Sequence, residues 1–328
     1  MLRLTFLPLF LLLSCLPGRA APKLTREAVN AADFTGWSEA DAQASESPHP
    51  FLIRVQVLLD RADVSPGVID GLFGENTKKA IRAYREREKI GEGEEMDEAI
   101  WAALAKDAGA AVEEYEITEE DVSGRYVEDL PEDYSKLAEM EWLGYSGPKE
   151  MLAERFHMDQ DLLAALNPGA DFSKPGTEIL VTVPGKDAEG TVTRIVVDRS
   201  RGELFAYEAE DRLVAAYPAT IGSEENPSPK GTHKVKAIAP EPTYTYNPDK
   251  NFQQGDNDET LVLPPGPNGP VGIMWIDLTE PTYGIHGTPE PAVIDKTASH
   301  GCVRLTNWDA QELAELVAPG RTVVEFQE

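Results

Sequence analysis

The sequence predicts a multidomain α+β chain: a small three-helix N-terminal domain, a short αβ segment, and a C-terminal mainly-β, sandwich-like domain. Three observations carry this prediction. The chain has 328 residues, more than one ordinary domain of roughly 100–200 residues needs. Apolar residues recur at helical spacing up to about Leu166 and at a period of two from Thr191 onward. Stretches rich in Pro and Gly, at 226–229 and 263–270, separate the later strands, as the long connections of a β-sandwich or irregular barrel do.

Composition narrows the class of partner. With 41% hydrophobic and 27% charged residues the chain has the make-up of a folded protein. Asp and Glu number 58 against 30 Lys and Arg, a net charge of −28; such a field repels polyphosphate, so no nucleic acid partner is expected. No internal run reaches the roughly 18 to 20 apolar residues of a membrane helix. The first twenty residues differ: Arg3, a mostly apolar stretch from Leu4 to Leu16, and Gly18-Arg19-Ala20 read as an export signal at 1–20, which places the mature protein in the periplasm or cell envelope. Leu12-Leu13-Ser14-Cys15 also resembles a lipoprotein processing box with Cys15 as lipid acceptor; Leu13 departs from that box, so plain secretion is the first reading and a lipid anchor the second. Cleavage after Ala20 leaves Cys302 as the one thiol, unable to form an internal disulfide.

Residues 48–105 form the first unit. Ile53, Val57 and Leu58 recur at helical spacing, turns follow at Ser65-Pro66-Gly67 and Ile69 to Gly74, a helix runs from Glu75 to Arg87, and Asp97 caps a last helix with Ile100, Trp101 and Leu104. Gln56, Leu59, Asp70-Gly71-x-Phe73-Gly74, Thr77, Ala80, Tyr84 and Trp101-x-x-Leu104 together resemble the peptidoglycan-binding type 1 domain, which implies docking on cell-wall glycopeptide. Taken singly, a tight turn and a small core explain the same residues. Residues 106–135 read as an acidic connector, with Tyr115, Ile117, Tyr126 and Val127 available to fold onto neighbours. In 136–186, helices at 148–156 and 159–166, Asn167-Pro168-Gly169 and a strand at 178–183 resemble a LysM glycan-binding module without a visible opening strand; a structural remnant is the alternative. His157 sits at a helix end and reads as a capping or surface residue.

Residues 191–328 are the β-rich unit. Strands are expected at 192–197, 203–207 and 212–220, with a hairpin turn at 199–202, apolar runs at 272–278 and 321–326, and a helix at 308–317 capped by Thr306 or Asn307. Here stand His286-Gly287-Thr288 and Ser299-His300-Gly301-Cys302-Val303-Arg304. A thiol nucleophile requires a base, a group that orients the base, and donors for the oxyanion. His286 can take the thiol proton, the Gly287 carbonyl can fix its tautomer, and the Gly301 and Cys302 amides can face the developing charge. Arg304 favours thiolate and can hold a substrate carboxylate. Two other readings stay open: Cys302 as a small core residue, and Cys302, His300, His286 and His233 as a zinc set, although a second Cys or a helical His pair is missing.

The ordered string from His286 to Leu305, with Ile195 to Asp198, Pro229-x-Gly231-Thr232-His233 and Gly272 to Trp275, closely resembles the signature of L,D-transpeptidases of the YkuD type over residues 191–326. The resemblance implies Cys302 as the acylated nucleophile, His286 as general base and His300 as a histidine beside the acyl site. It makes Gly301 the turn, Gly287 an orienter through its backbone where some members carry Ser, and Arg304, Ser299 and Trp275 substrate-binding residues. It implies no cofactor and no metal. The implied partners are peptidoglycan stem peptides, with glycan strands at the N-terminal modules; the implied reaction forms a thioester at an L-configured residue, resolves it with an amine, and exposes the thiol to carbapenems. Resolution by water gives a carboxypeptidase, and by a protein amine an anchoring enzyme; some relatives release such anchors. A non-catalytic wall-binding scaffold is the alternative from another class, and the complete set of Cys302, His286, His300 and Arg304 speaks against it.

Overall fold

A computed structural model describes residues 23–35, 37–107, 109–223, 226–250, 252–297, 299 and 301–328. The leader with Cys15, and His300, lie outside the described residues. Two short helices, α1 (Arg26–Asn30) and α2 (Glu39–Gln43), precede α3 (Pro50–Asp60), α4 (Glu75–Glu88) and α5 (Glu98–Leu104). The Asp70-Gly71 turn between α3 and α4 is tied down from α3: Gln56 Nε2 donates to Asp70 Oδ1 at 2.7 Å and Gln56 Oε1 accepts from the Gly71 amide at 2.7 Å. Gly71 has φ +72°, and a Cβ there would lie 2.9 Å from both Ile53 and Pro48, so only glycine closes the turn.

These helices do not close a core alone. Phe51, Leu58 and Ile81 share one buried cluster with Val196, Phe205 and Ala216 of the later sheet. Arg82 pairs with the buried carboxylate of Glu203 at 2.7 Å, and Lys79 pairs with Asp295. The helical unit and the sheet are therefore packed as one body, with charge pairs across the seam.

The acidic connector expected at 106–135 is corrected in part. It contains a strand, β1 (Val112–Glu116), and a helix, α6 (Glu119–Val122). Val112 and Ile117 are buried while Glu113, Glu114 and Glu116 face solvent; three glutamates in five residues hid the alternation. After α7 (Tyr134–Leu137) come α8 (Pro148–Arg155), α9 (Gln160–Leu166) and β2 (Glu178–Thr182). β1 and β2 pair antiparallel, Val112 opposite Thr182, so the opening strand that the sequence did not reveal is present. His157 is also corrected. Its ring is largely covered, bonded to Asp60 Oδ1 at 3.0 Å and stacked on Trp308 at 5.0 Å, so it joins three parts of the chain.

The remaining elements are β3 (Arg194–Asp198), β4 (Glu203–Tyr207), β5 (Leu213–Pro218), β6 (Thr220–Ile221), β7 (Gly231–Pro240), β8 (Tyr244–Tyr246), β9 (Leu261–Leu263), β10 (Met274–Leu278), β11 (Gly284–His286), β12 (Val303–Arg304), α10 (Asn307–Leu316) and β13 (Val323–Gln327). Nine strands form one sheet in the order β5-β4-β3-β13-β7-β10-β11-β12-β6. Its two edges, β5 and β6, are separated in the chain only by Ala219, so the sheet curls back on itself into a near-barrel. Ile195, Val197 and Leu204 from one half meet Ile276, Ile285 and Val303 from the other, and Leu313 of α10 plugs the interior. Thr306 caps α10 by accepting from the Asp309 amide at 3.1 Å. β8 and β9 form a separate hairpin whose Tyr246 and Leu263 pack with Leu137 of α7. Among the described residues no helix is long and apolar enough to cross a membrane.

Candidate active site

Two neighbouring parallel strands set the site. Ile285 of β11 pairs with Val303 of β12 and His286 with Arg304. Alternation along a strand then puts Gly284, His286, Cys302 and Arg304 on the same face. β10 lies on the other side of β11 with Trp275 opposite His286. The resulting cleft, of about 340 Å³, is lined by Cys302, His286, Arg304 and Trp275 together.

The imidazole of His286 is buried. Its Nδ1 lies 2.7 Å from the Gly287 carbonyl; a carbonyl can only accept, so Nδ1 carries the proton and Nε2 the lone pair. Trp275 stacks on the ring with centroids 5.4 Å apart and planes 17° from parallel. Burial, with the Arg304 charge adding to it, holds the imidazolium pKa down at about 3 against the opposing Gly287 bond, so the ring is neutral. Cys302 is half-buried, and its Sγ lies 3.8 Å from the Thr282 carbonyl, a weak S–H contact. Burial pushes the thiol up from its ordinary value, against the Gly284 amide and Arg304. The resting pair is thus thiol and neutral imidazole.

The loop before the thiol is fixed from beneath. Gly301 has φ +104°, and a Cβ there would come within 2.8 Å of the Tyr283 ring. Its carbonyl accepts from Ser228 Oγ at 2.8 Å, and Ser299 Oγ donates to the Cys302 carbonyl at 2.6 Å. Ser299, grouped above with the substrate contacts, is buried and does not line the cleft; its bond holds the thiol's own backbone. Of the zinc set, His233 lies apart from Cys302 and His286: its ring sits 3.1 Å from the Lys230 carbonyl and against Phe326, outside the cleft. Among the described residues no group of three or more His, Cys, Asp or Glu is arranged to hold a metal ion.

Two features escaped the sequence. Behind Gly287 lies Asn307, whose Oδ1 would sit 2.2 Å from a Cβ at that position. Asn307 Nδ2 donates to Glu154 Oε2 of α8 at 2.9 Å, and Tyr145 hydroxyl donates to the same oxygen at 3.3 Å. Burial pushes the Glu154 carboxyl up to about 8. In sequence Asn307 looked only like a cap; a glutamate inside the apolar run Leu152-Ala153-Glu154 was the available signal. The second feature is a wall of the cleft made by Tyr134, Tyr244 and Phe252, which no motif marked.

Comparison with known proteins bears on the same region. The profile of the YkuD L,D-transpeptidase catalytic domain matches residues 192–325. The YkuD protein of Bacillus licheniformis, which carries the name L,D-transpeptidase, is 31% identical over 175 residues, 53% of this chain and 90% of its own. YbiS of Escherichia coli K12, of the same name, is 30% identical over 207 residues, 60% of this chain and 67% of its own. A solved L,D-transpeptidase from Mycobacterium smegmatis overlaps 47% of this chain and 64% of that one at 17% identity, with a TM-score of 0.34. The profile match falls on the sheet and the cleft just described, and with the two sequence relatives it makes the chain a member of the YkuD family of L,D-transpeptidases, and hence an enzyme.

Proposed function

We propose that the protein is a peptidoglycan L,D-transpeptidase that joins stem peptides through a thioester on Cys302, with His286 as general base. The observation that carries the reading is the pairing, in one cleft, of the half-buried thiol with an imidazole whose Nε2 lone pair is left free by the Gly287 carbonyl. The thiol is held above its usual value and the imidazole near 3, so a preformed ion pair is disfavoured and the proton moves as attack proceeds.

In the first half, Sγ bonds to the carbonyl carbon of an L-configured residue while its proton passes to Nε2. The oxyanion faces the Gly301 and Cys302 amides. Collapse breaks the C–N bond, and Nε2 returns the proton to the departing D-amino acid, leaving the thioester. In the second half an amine of another stem attacks, gives a proton to Nε2, and the C–S bond breaks; the thiolate recovers that proton. His300, by the family resemblance, stands beside the acyl group, and Arg304 holds a substrate carboxylate. Water in place of the amine yields the carboxypeptidase, and aromatic lining of the cleft favours the amine by limiting solvent.

The N-terminal parts are proposed to serve the same polymer. Residues 48–105 act as a peptidoglycan-binding-like domain and the 136–186 segment as a LysM-like module holding glycan, the latter supported by its α8-α9-β2 order and by the pairing of β2 with β1. Residues 1–20 act as an export signal, with a lipid anchor at Cys15 as the second reading. Incubating the purified chain with tetrapeptide muropeptides and analysing the products by mass tests the reaction. Crosslinked dimers are expected from wild type and none from Cys302→Ala, which should also lose the carbapenem adduct. Crosslinking by Cys302→Ala overturns the proposal.

A further inference from the structure

One residue in the aromatic wall of the cleft, Tyr134, comes from outside the family match over 192–325. Tyr134 opens α7, yet lines the cleft with Cys302, His286 and Arg304. It is held there closely. Its backbone amide donates to Gln254 Oε1 at 3.2 Å, Gln254 Nε2 donates to the Glu132 carbonyl at 2.8 Å, and Asn257 Nδ2 donates to Asp133 Oδ1 at 2.9 Å. The ring stands edge-on to Tyr246 at 5.3 Å and 87°, and to Tyr244 at 6.2 Å and 85°. So placed, the ring has little freedom, and its hydroxyl has no hydrogen-bond partner among the described residues. Burial pushes the phenol up while the Arg304 charge acts against it, which keeps the group a neutral donor in the field of that guanidinium. Arg304 likewise has no carboxylate partner among the described residues. Both donors line one open cleft with the thiol, and a cation beside a neutral hydroxyl donor is the arrangement that suits an anion.

We infer that Tyr134 is a specificity-determining residue: its hydroxyl and the Arg304 guanidinium together take the carboxylate of the donor peptide's C-terminal residue. This rests on the reading of Cys302 as the nucleophile. The carboxylate carbon of that residue lies about 4 Å along the chain from the scissile carbonyl carbon. Arg304 stands two residues past Cys302 on one face of a strand, about 7 Å away by Cα position, and its side chain spans the remainder. The active site is then completed by a segment that precedes the catalytic sheet, and a donor lacking the charge keeps only weaker, neutral bonds there.

The test compares a synthetic tetrapeptide donor with its C-terminal amide, using the full chain and reading initial rates by mass spectrometry. A charge-assisted contact predicts that wild type prefers the free acid by about tenfold or more in kcat/KM. Tyr134→Phe keeps the ring stack and removes only the hydroxyl. It should raise KM for the acid about fivefold to tenfold, hold kcat within about twofold, and raise KM for the amide by no more than about threefold, so that the preference shrinks. The rate at which iodoacetamide alkylates Cys302 should not move. Equal losses on acid and amide would give the ring a merely structural role and overturn the inference, as would no change on either. Absence of turnover by wild type removes the reading of the reaction and the inference with it, a different outcome from turnover that ignores Tyr134.

Discussion

Glu154→Gln tests the buried network behind Gly287 through its pH dependence. The Glu154 carboxyl, buried beside Glu150, is pushed up from 4.5 to about 8, with burial the main cause and the bonds from Asn307 and Tyr145 acting against it. Unfolded, the same group releases its proton near 4.5. Between those values the folded state therefore binds more protons than the unfolded one, and stability falls as pH rises through the window. The ceiling on that loss is about 5 kcal/mol at ~1.4 kcal/mol per tenfold change, and relaxation around the charge would bring it to about 2–4 kcal/mol. Gln keeps the acceptor for Asn307 Nδ2 and Tyr145 hydroxyl. Its NH₂ takes the place of Oε1, which is buried with no hydrogen-bond partner, so the variant resembles the protonated acid. Unfolding free energies from urea titrations at pH 5, 7 and 9 should coincide within about 1 kcal/mol at pH 5 and favour Glu154→Gln by about 2–4 kcal/mol at pH 9. Asp63, Asp309 and Glu312, raised by burial to about 6, 7 and 7, tilt both curves the same way and cancel in the difference. Parallel curves from pH 5 to 9 would refute the reasoning.

Three further outcomes follow. With the His286 imidazole held near 3, carbapenem acylation of Cys302 should show no acid limb near the ordinary histidine value of about 6.5; a midpoint there, in rates measured from pH 5 to 8, contradicts a neutral resting ring. Gly301→Ala places a Cβ 2.8 Å from the Tyr283 ring at φ +104°, so it should cost about 1–3 kcal/mol and slow acylation at least about tenfold; an unchanged melting temperature and rate would refute it. Arg82→Ala leaves Glu203 buried with Arg201 as its remaining partner, which should cost about 1–3 kcal/mol. Because Arg82 lies on α4 and Glu203 on β4, calorimetry should show one transition moved down, and two transitions with only one moved would refute the shared core.

What the sequence disclosed depended on how local the signal was. Strands β3 to β5 were legible because Ile195, Val197 and Leu204 alternate with residues of the opposite face. β7, the longest strand, was read only as a turn at its start, because most of its residues are exposed or half-buried and it carries Lys234 and Lys236. The parallel pairing of β11 with β12 was not legible at all, since hydrophobic period says nothing of which strand lies alongside. Cys302, His286 and Arg304 stood out because a short ordered string holds them. Asn307, Glu154 and Tyr134 did not, because each acts across a large separation in sequence and offers no local pattern.

Those long separations bear on how the N-terminal parts serve the proposed reaction. A flexible tether would present substrate to the thiol at an effective concentration set by linker length. Here the links are packed instead: α4 pairs with β4 through Arg82 and Glu203, α8 reaches behind the histidine loop through Glu154 and Asn307, and α7 supplies Tyr134 to the cleft. Each link is made by a buried or half-buried group, so loosening any of them leaves a polar atom or apolar surface without its partner. A glycan held by these units would then meet Cys302 at one fixed offset. Selection among stems would follow from that offset together with the carboxylate contacts at Tyr134 and Arg304, and the reach of a linker would contribute nothing to it.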